Sequence, residues 1–366
     1  MSNSTADGRL HRYWPERNLN LFEYQPSGDA TWYHLADANT LIFIGGLYDS
    51  FLSVPYVPLL ASYIHQVPNW SLMEIQLSSS GVGWGTGDLC RDAEEIAKAV
   101  EYLRGSTTNS KADTAVTSPT GKIVLMGLST GCQDVLHYLY HNPEQKRPPV
   151  DGAILQAAVS DREGLVMMCE RDEHVQRAYE ECLRISLESQ TEDSNGKIFT
   201  LPPETTSIVG WPRGLVSCKR FLSLVSPFSP ERPGDDDLFS SDLSDEALSQ
   251  TFGAVAKCGR LTPSPLYGIS MLVMLSAEDE YTPPTVNKGA LMKRWAAALE
   301  NGHAKMAPPS GVIANASHTI KEHAAQFDLV YRVLRYLELS IGGVKEETFL
   351  KLEEKLNLLD SQNPSI

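Results

Sequence analysis

The stretch that most restricts how this chain can fold is residues 122–131. An apolar run, Lys122-Ile123-Val124-Leu125-Met126-Gly127, leads directly into Gly127-Leu128-Ser129-Thr130-Gly131, and a helical pattern follows through Leu139. A serine between two glycines at a strand-to-helix junction needs a turn so sharp that a side chain at either glycine would meet neighbouring backbone. The following helix aims its first N–H groups at any negative charge that develops beside the serine. The pattern implies an α/β architecture with Ser129 as a nucleophile at the carboxyl end of a strand.

The rest of the chain has the matching rhythm. Leu41-Ile42-Phe43-Ile44 ends in Gly45-Gly46, Leu72-Met73-Glu74-Ile75-Gln76-Leu77 ends in three serines, and further apolar runs lie at 152–157, 269–275 and 311–314. Between and after them, residues 92–103, 288–299 and 322–339 carry helical patterns, as expected for a mostly parallel central sheet flanked by crossover helices. Residues 105–121 are a polar surface loop. Residues 161–261 break the rhythm with a charged helix, an acidic loop around Glu192-Asp193, the Pro/Trp stretch 209–213 and Asp235-Asp236-Asp237. The expected organisation is a core of 1–160 and 262–343, a mainly helical cap at 161–261, and a terminal helix or tail at 344–366.

Composition narrows the ligand class. With 31 basic against 46 acidic residues the formal charge is −15, which argues against nucleic acid or an anionic membrane surface as partner. No apolar stretch near the start resembles a secretory signal, and no run of about 18 apolar residues could span a bilayer, so a cytoplasmic protein is expected. The cysteines have no C-x-x-C spacing and read as reduced thiols. His137 and His141 are spaced i, i+4, but Tyr138 stands where a zincin helix needs Glu, and no third ligand lies nearby in sequence. They are expected to be a solvated pair at a helix end, with no metal and no cofactor. Gly81-Val82-Gly83-Trp84-Gly85-Thr86-Gly87 lacks the dinucleotide register, since Thr86 takes the third glycine's place; it is expected to wall the pocket, with Trp84 as a candidate substrate contact.

A serine at its ordinary pKa needs a histidine base and an orienting acid. Where a strand–G-x-S-x-G–helix unit occurs in α/β-hydrolases, the order is Ser, acid, His. His318 sits in a loop between a strand and a helix, whereas His303 lies on the wrong side of that strand and His323 falls within the next helix. The loop after strand 269–275 offers Glu278, Asp279 and Glu280. Asp279 is the expected acid, because a carboxylate four residues before a proline recurs in this loop of the fold class. For the oxyanion hole, one donor is the Thr130 N–H; Gly45-Gly46 permits close backbone approach, which makes the Leu47 N–H the second. Trp211 and Arg213 are candidate substrate-binding residues of the cap.

These segments, together with Ser79-Ser80-Gly81, the extension Ser129-Thr130-Gly131-Cys132-Gln133-Asp134, residues 155–163 and Asp279-Glu280-Tyr281-Thr282-Pro283, resemble a fungal and plant α/β-hydrolase family formerly labelled as of unknown function. The resemblance covers nearly the whole chain outside the polar loop, the acidic insert and the tail. It implies the activity of the family's characterised branch, the fungal cytosolic siderophore esterase, which cleaves ester bonds in fusarinine-type hydroxamate siderophores so that intracellular iron is released. The residues alone specify a serine hydrolase acting on a small-molecule ester. They leave open an acyltransferase or a hydrolase of another ester, separable by whether water or an alcohol takes the acyl group, and a catalytically silent ligand receptor, which a fluorophosphonate probe would reveal by its inertness.

Overall fold

The computed structural model describes residues 7–26, 32, 35, 38–105, 121–190, 198–340, 342 and 346–362. The expected acidic loop at Glu192-Asp193 and all but the ends of the polar loop lie outside the described residues. In chain order the elements are β1 (Gly8–Trp14), β2 (Leu19–Tyr24), β3 (Asn39–Ile44), α1 (Val57–Ile64), β4 (Trp70–Ile75), α2 (Leu89–Leu103), β5 (Ile123–Leu128) and α3 (Thr130–Tyr140). There follow β6 (Gly152–Gln156), α4 (Asp161–Arg171), α5 (Glu173–Gln190), α6 (Pro203–Ile208), α7 (Cys218–Val225), α8 (Asp245–Gln250) and β7 (Ser270–Ser276). The chain continues through α9 (Lys288–Asn301), β8 (Lys305–Met306), β9 (Gly311–Ile313), α10 (His323–Ser340) and α11 (Glu346–Gln362).

One sheet runs β1-β2-β4-β3-β5-β6-β7-β8, with β9 pairing further along β7. From β4 through β9 every pairing is parallel, and β1 and β2 add an antiparallel edge. Strands β4 to β7 are buried at every position, because helices cover both faces and the strands must be apolar on both sides. On one face Ile96 and Val100 of α2, Leu136 of α3 and Trp295 of α9 share a core. On the other, Leu60 of α1, Val330 and Leu334 of α10 and Phe349 of α11 form a second. No helix among the described residues is long and apolar enough to cross a membrane.

Two features depart from the sequence reading. The β1–β2 hairpin was not anticipated, because its polar positions hide a buried ion cluster: Glu23 accepts from Arg9 at 2.6 Å and lies 2.7 Å from His11 Nε2. The His137–His141 pair is not a solvated pair: His137 is 1% exposed, because α2 packs along α3 and brings Cys90 Sγ to 3.8 Å from His137 Nε2, while His141 is half-buried.

Within 161–261, two kinds of packing coexist. Helices α4 to α7 gather a separate apolar cluster that includes Val175, Cys182, Trp211 and Phe221. Leu238, Phe239, Phe252 and Leu261 instead join the core on the α2–α3–α9 face, where Phe252 stacks on Trp295 with centroids 5.2 Å apart.

Candidate active site

The serine turn has the geometry its glycines require. Ser129 holds φ 55° and ψ −123°, a left-handed conformation that a non-glycine residue adopts only when its surroundings enforce it. A Cβ on Gly127 would stand 2.2 Å from the Gly131 carbonyl oxygen, and one on Gly131 would stand 2.4 Å from that of Ile44. Both distances are far inside van der Waals contact, so β5, β3 and α3 can meet here only through glycine. The Ser129 N–H donates to Gln156 O at 3.1 Å, and Cys132 Sγ reaches Gly127 O and Gln156 O, each at 3.1 Å. Cys132 is thus an interior clamp on the turn.

At the end of β7 the acid loop brings its carboxylate to the histidine. His318 Nδ1 lies 2.8 and 3.0 Å from the two Asp279 oxygens, with both side chains buried. Of the neighbouring acids, the Glu280 carboxylate accepts the His318 backbone N–H through Oε2 at 2.8 Å, and Glu278 ties the loop through its backbone N–H, which donates to Ala316 O at 2.9 Å. Lys288 Nζ ties the loop to the start of α9 by donating to the Ser276 and Ala277 carbonyls, each at 2.7 Å. The carbonyl of His318 receives Gln156 Nε2 at 3.2 Å, and Tyr56 OH donates to Gln156 Oε1 at 2.9 Å. The Tyr281 ring meets the His318 ring edge to face at 4.7 Å.

Ser129 and His318 open onto one cavity of about 470 Å³, large enough for a bulky small molecule. Leu47, Tyr48, Trp211 and Tyr281 line it with them. The loop after β3 passes so close that a Cβ on Gly46 would sit 2.8 Å from Ser129 Cβ. The Gly46 N–H is committed to Asp49 Oδ2 at 2.8 Å; Leu47, the next residue, lines the cavity, and Thr130 follows Ser129 at the start of α3.

Of the cap candidates, Trp211 lines this cavity. Trp84 stands behind it, 2% exposed, wedged between Tyr48 at 5.5 Å and Trp211 at 5.3 Å. Arg213 is exposed and rests over the outer side of the Tyr48 ring at 5.2 Å. Neither Trp84 nor Arg213 lines the cavity: Trp84 is held away by aromatic packing, and Arg213 points to solvent beyond Tyr48.

The sequence reading missed Tyr48, Tyr281 and Asp161 as cavity walls. Asp161 opens α4 and accepts from Gln133 Nε2 at 2.9 Å, while the same Nε2 donates to Asp236 O at 2.7 Å. Asp236 in turn chelates the buried Arg220, both carboxylate oxygens lying 2.7 Å from Nη1. Burial raises the Asp161 carboxyl to about 6. A signal was available in Gln133-Asp134 of the serine turn's extension, two polar residues in a helix buried at every position from Thr130 to Leu139.

A family described as "Protein of unknown function (DUF1749)" matches residues 1–338. The fusarinine C esterase sidJ of Aspergillus fumigatus is 37% identical over 354 residues, covering 90% of this chain and 95% of that one. A solved structure described as the siderophore hydrolase EstB from Aspergillus fumigatus superposes with a TM-score of 0.77 at 35% identity, covering 93% of this chain and 99% of that one. A structure titled as an α/β-hydrolase fold protein of unknown function superposes at 0.53 with 15% identity, covering 98% and 99% of the two chains. The chain has the α/β-hydrolase fold.

Proposed function

The chain belongs to the DUF1749 family, and from that premise we propose that it is a serine esterase that hydrolyses ester bonds of fusarinine-type hydroxamate siderophores in the cytoplasm, releasing iron for the cell. The observation that carries the reading is the Asp279–His318 pair at 2.8 Å, with His318 lining the same cavity as Ser129, in a chain whose similar proteins include a fusarinine C esterase and a siderophore hydrolase.

His318 takes the Ser129 proton through Nε2 while Asp279 accepts from Nδ1–H, fixing the tautomer and stabilising the imidazolium. Ser129 Oγ adds to the ester carbonyl, and the Leu47 and Thr130 N–H groups receive the oxyanion. The imidazolium then protonates the leaving alcohol, and water, deprotonated by the same histidine, releases the acid. Any iron present belongs to the substrate.

The proposal is tested by incubating the enzyme with a ferric fusarinine-type siderophore and a panel of simple esters, reading products by mass. Each bond cut should add the mass of one water, with none cut by Ser129→Ala. Simple esters cleaved while the siderophore stays intact would move the substrate elsewhere; an added alcohol taking the acyl group in place of water would make the chain an acyltransferase.

A further inference from the structure

Away from the cavity, where α2 packs on α3, three metal-ligating side chains converge that the hydrolytic chemistry does not use. We propose that Cys90, His137 and His141 form a zinc site that clips the start of α2 to the carboxyl-terminal half of α3.

The potential ligand atoms of the three residues all lie within 4.8 Å of one another. Tetrahedral zinc with one sulfur and two nitrogen ligands brings such atoms to about 3.5 Å, so the shift needed is about 1 Å. Cys90 Sγ already faces His137 Nε2 at 3.8 Å, and the two imidazoles lie 4.1 Å apart, 18° from parallel. Turning the half-buried His141 ring lets both lone pairs converge on one ion. A second observation points to a ligand: Nδ1 of His141 is buried without a hydrogen-bond partner, an arrangement that interior polar atoms rarely tolerate, while His137 turns its Nε2 to Cys90. The histidines share a helix face because they are spaced i, i+4.

Ligand chemistry selects the ion. One thiolate and two imidazoles suit zinc, whereas magnesium and calcium prefer oxygen donors. Cys90 is in the first turn of α2 and is exposed, which gives the ion a path and leaves the fourth position to water; burial and the Asp88 and Asp235 carboxylates raise its thiol pKa, so the bound cation itself must draw off the proton. Two cations oppose the site: Arg147 donates to the His137 carbonyl and Arg260 to the His141 carbonyl. The carboxylates of Asp88 and Asp235 act on the pair with the opposite sign, and the thiolate adds its own negative charge. Eight residues of helix separate His137 from Ser129, about 12 Å, so the ion is structural: it anchors the helix whose first turn supports the serine.

The test uses the full chain, stripped with chelator and titrated with Co²⁺ as the spectroscopic probe. The expected result is one equivalent bound with a thiolate-to-cobalt absorption band, displaced by Zn²⁺, and a rise in melting temperature of about 3 °C when zinc is at 100 times its Kd. Cys90→Ser should lose the band and His141→Ala should weaken binding at least tenfold, while both variants keep wild-type turnover of a small ester. Absence of the band in the wild-type chain, its persistence in Cys90→Ser, or an equal thermal shift in the doubly substituted chain would each overturn the proposal.

Discussion

Ser129, His318 and Asp279 follow three different strands of the sheet; Ser129 and His318 line the cavity, and Asp279 is buried behind His318 with its carboxylate on Nδ1. Replacing Ser129 or His318 with Ala should lower kcat by roughly 10⁴-fold or more, and the double variant should be little worse than either single one, because the residues act as a unit. Asp279→Ala should fall in the same class, whereas Glu280→Gln should cost far less, since Glu280 binds the His318 backbone and not its ring. Steady-state kinetics that reverse this order would reassign the acid. Gly131→Ala places a methyl 2.4 Å from the Ile44 carbonyl and should destabilise by about 1–3 kcal/mol in denaturant titration; an unchanged midpoint would mean that the strands part easily. Asp161 gives a pH signature. Its folded pKa, about 6, exceeds the ordinary value of about 3.8, so between those values the native state binds more protons than the unfolded chain and stability falls as pH rises. Asp161→Asn, which preserves the acceptor for Gln133, should melt higher than wild type at pH 8 and at the same temperature near pH 4. A difference that did not change with pH would remove burial of the charge as the cause.

Elements were legible where one physical signal dominated. The strand-to-helix turn at 127–131 could be read because only glycine fits both flanks, and β3, β5, β6 and β7 because burial on both faces leaves continuous apolar runs. The β1–β2 hairpin was illegible because its stability rests partly on Glu23 meeting Arg9 and His11 across the sheet, a pairing with no local pattern. Cys90 could not be assigned to His137 for a related reason: the two are 47 positions apart, and only the packing of α2 on α3 joins them. Of the candidate site, the motif pointed to Ser129, loops and chain order to His318 and Asp279, and its setting to Trp211; the structure brings Ser129, His318 and Trp211 to one cavity and pairs His318 with Asp279, and their roles rest on the proposed mechanism. Trp84 does not line the cavity that holds Ser129, because aromatic composition alone does not say which face of a Trp–Trp contact meets a ligand. Trp211 packs on Trp84 and Phe221 while its free side lines the cavity. Trp211→Ala should therefore lower kcat/KM for a fusarinine-type siderophore at least tenfold more than for a small acetate ester, which needs only the triad and the oxyanion donors. Equal losses on both substrates, with the melting temperature unchanged, would mean that specificity lies elsewhere in the cap.

At the scale of the whole molecule, residues of the cluster built on α4 to α7, among them Leu165, Met168 and Trp211, line the cavity that holds Ser129, and a net charge of −15 with Asp161 and Glu280 on its wall favours neutral or cationic ligands. In the proposed mechanism the hydrolytic step uses protein groups alone, so chelator treatment should leave turnover of an iron-free ester unchanged; loss of activity restored by one added metal would contradict that mechanism. The most direct measurement joins the nucleophile to the proposed substrate. The chain is treated with a fluorophosphonate probe, with and without excess ferric fusarinine-type siderophore, and the adduct is mapped by peptide mass. We expect one adduct, on the peptide containing Ser129, slowed in proportion to siderophore occupancy and absent from Ser129→Ala. An inert serine, an adduct at another residue while turnover continues, or labelling at a rate that saturating siderophore does not alter would contradict the assignment of Ser129 as the residue that opens siderophore esters.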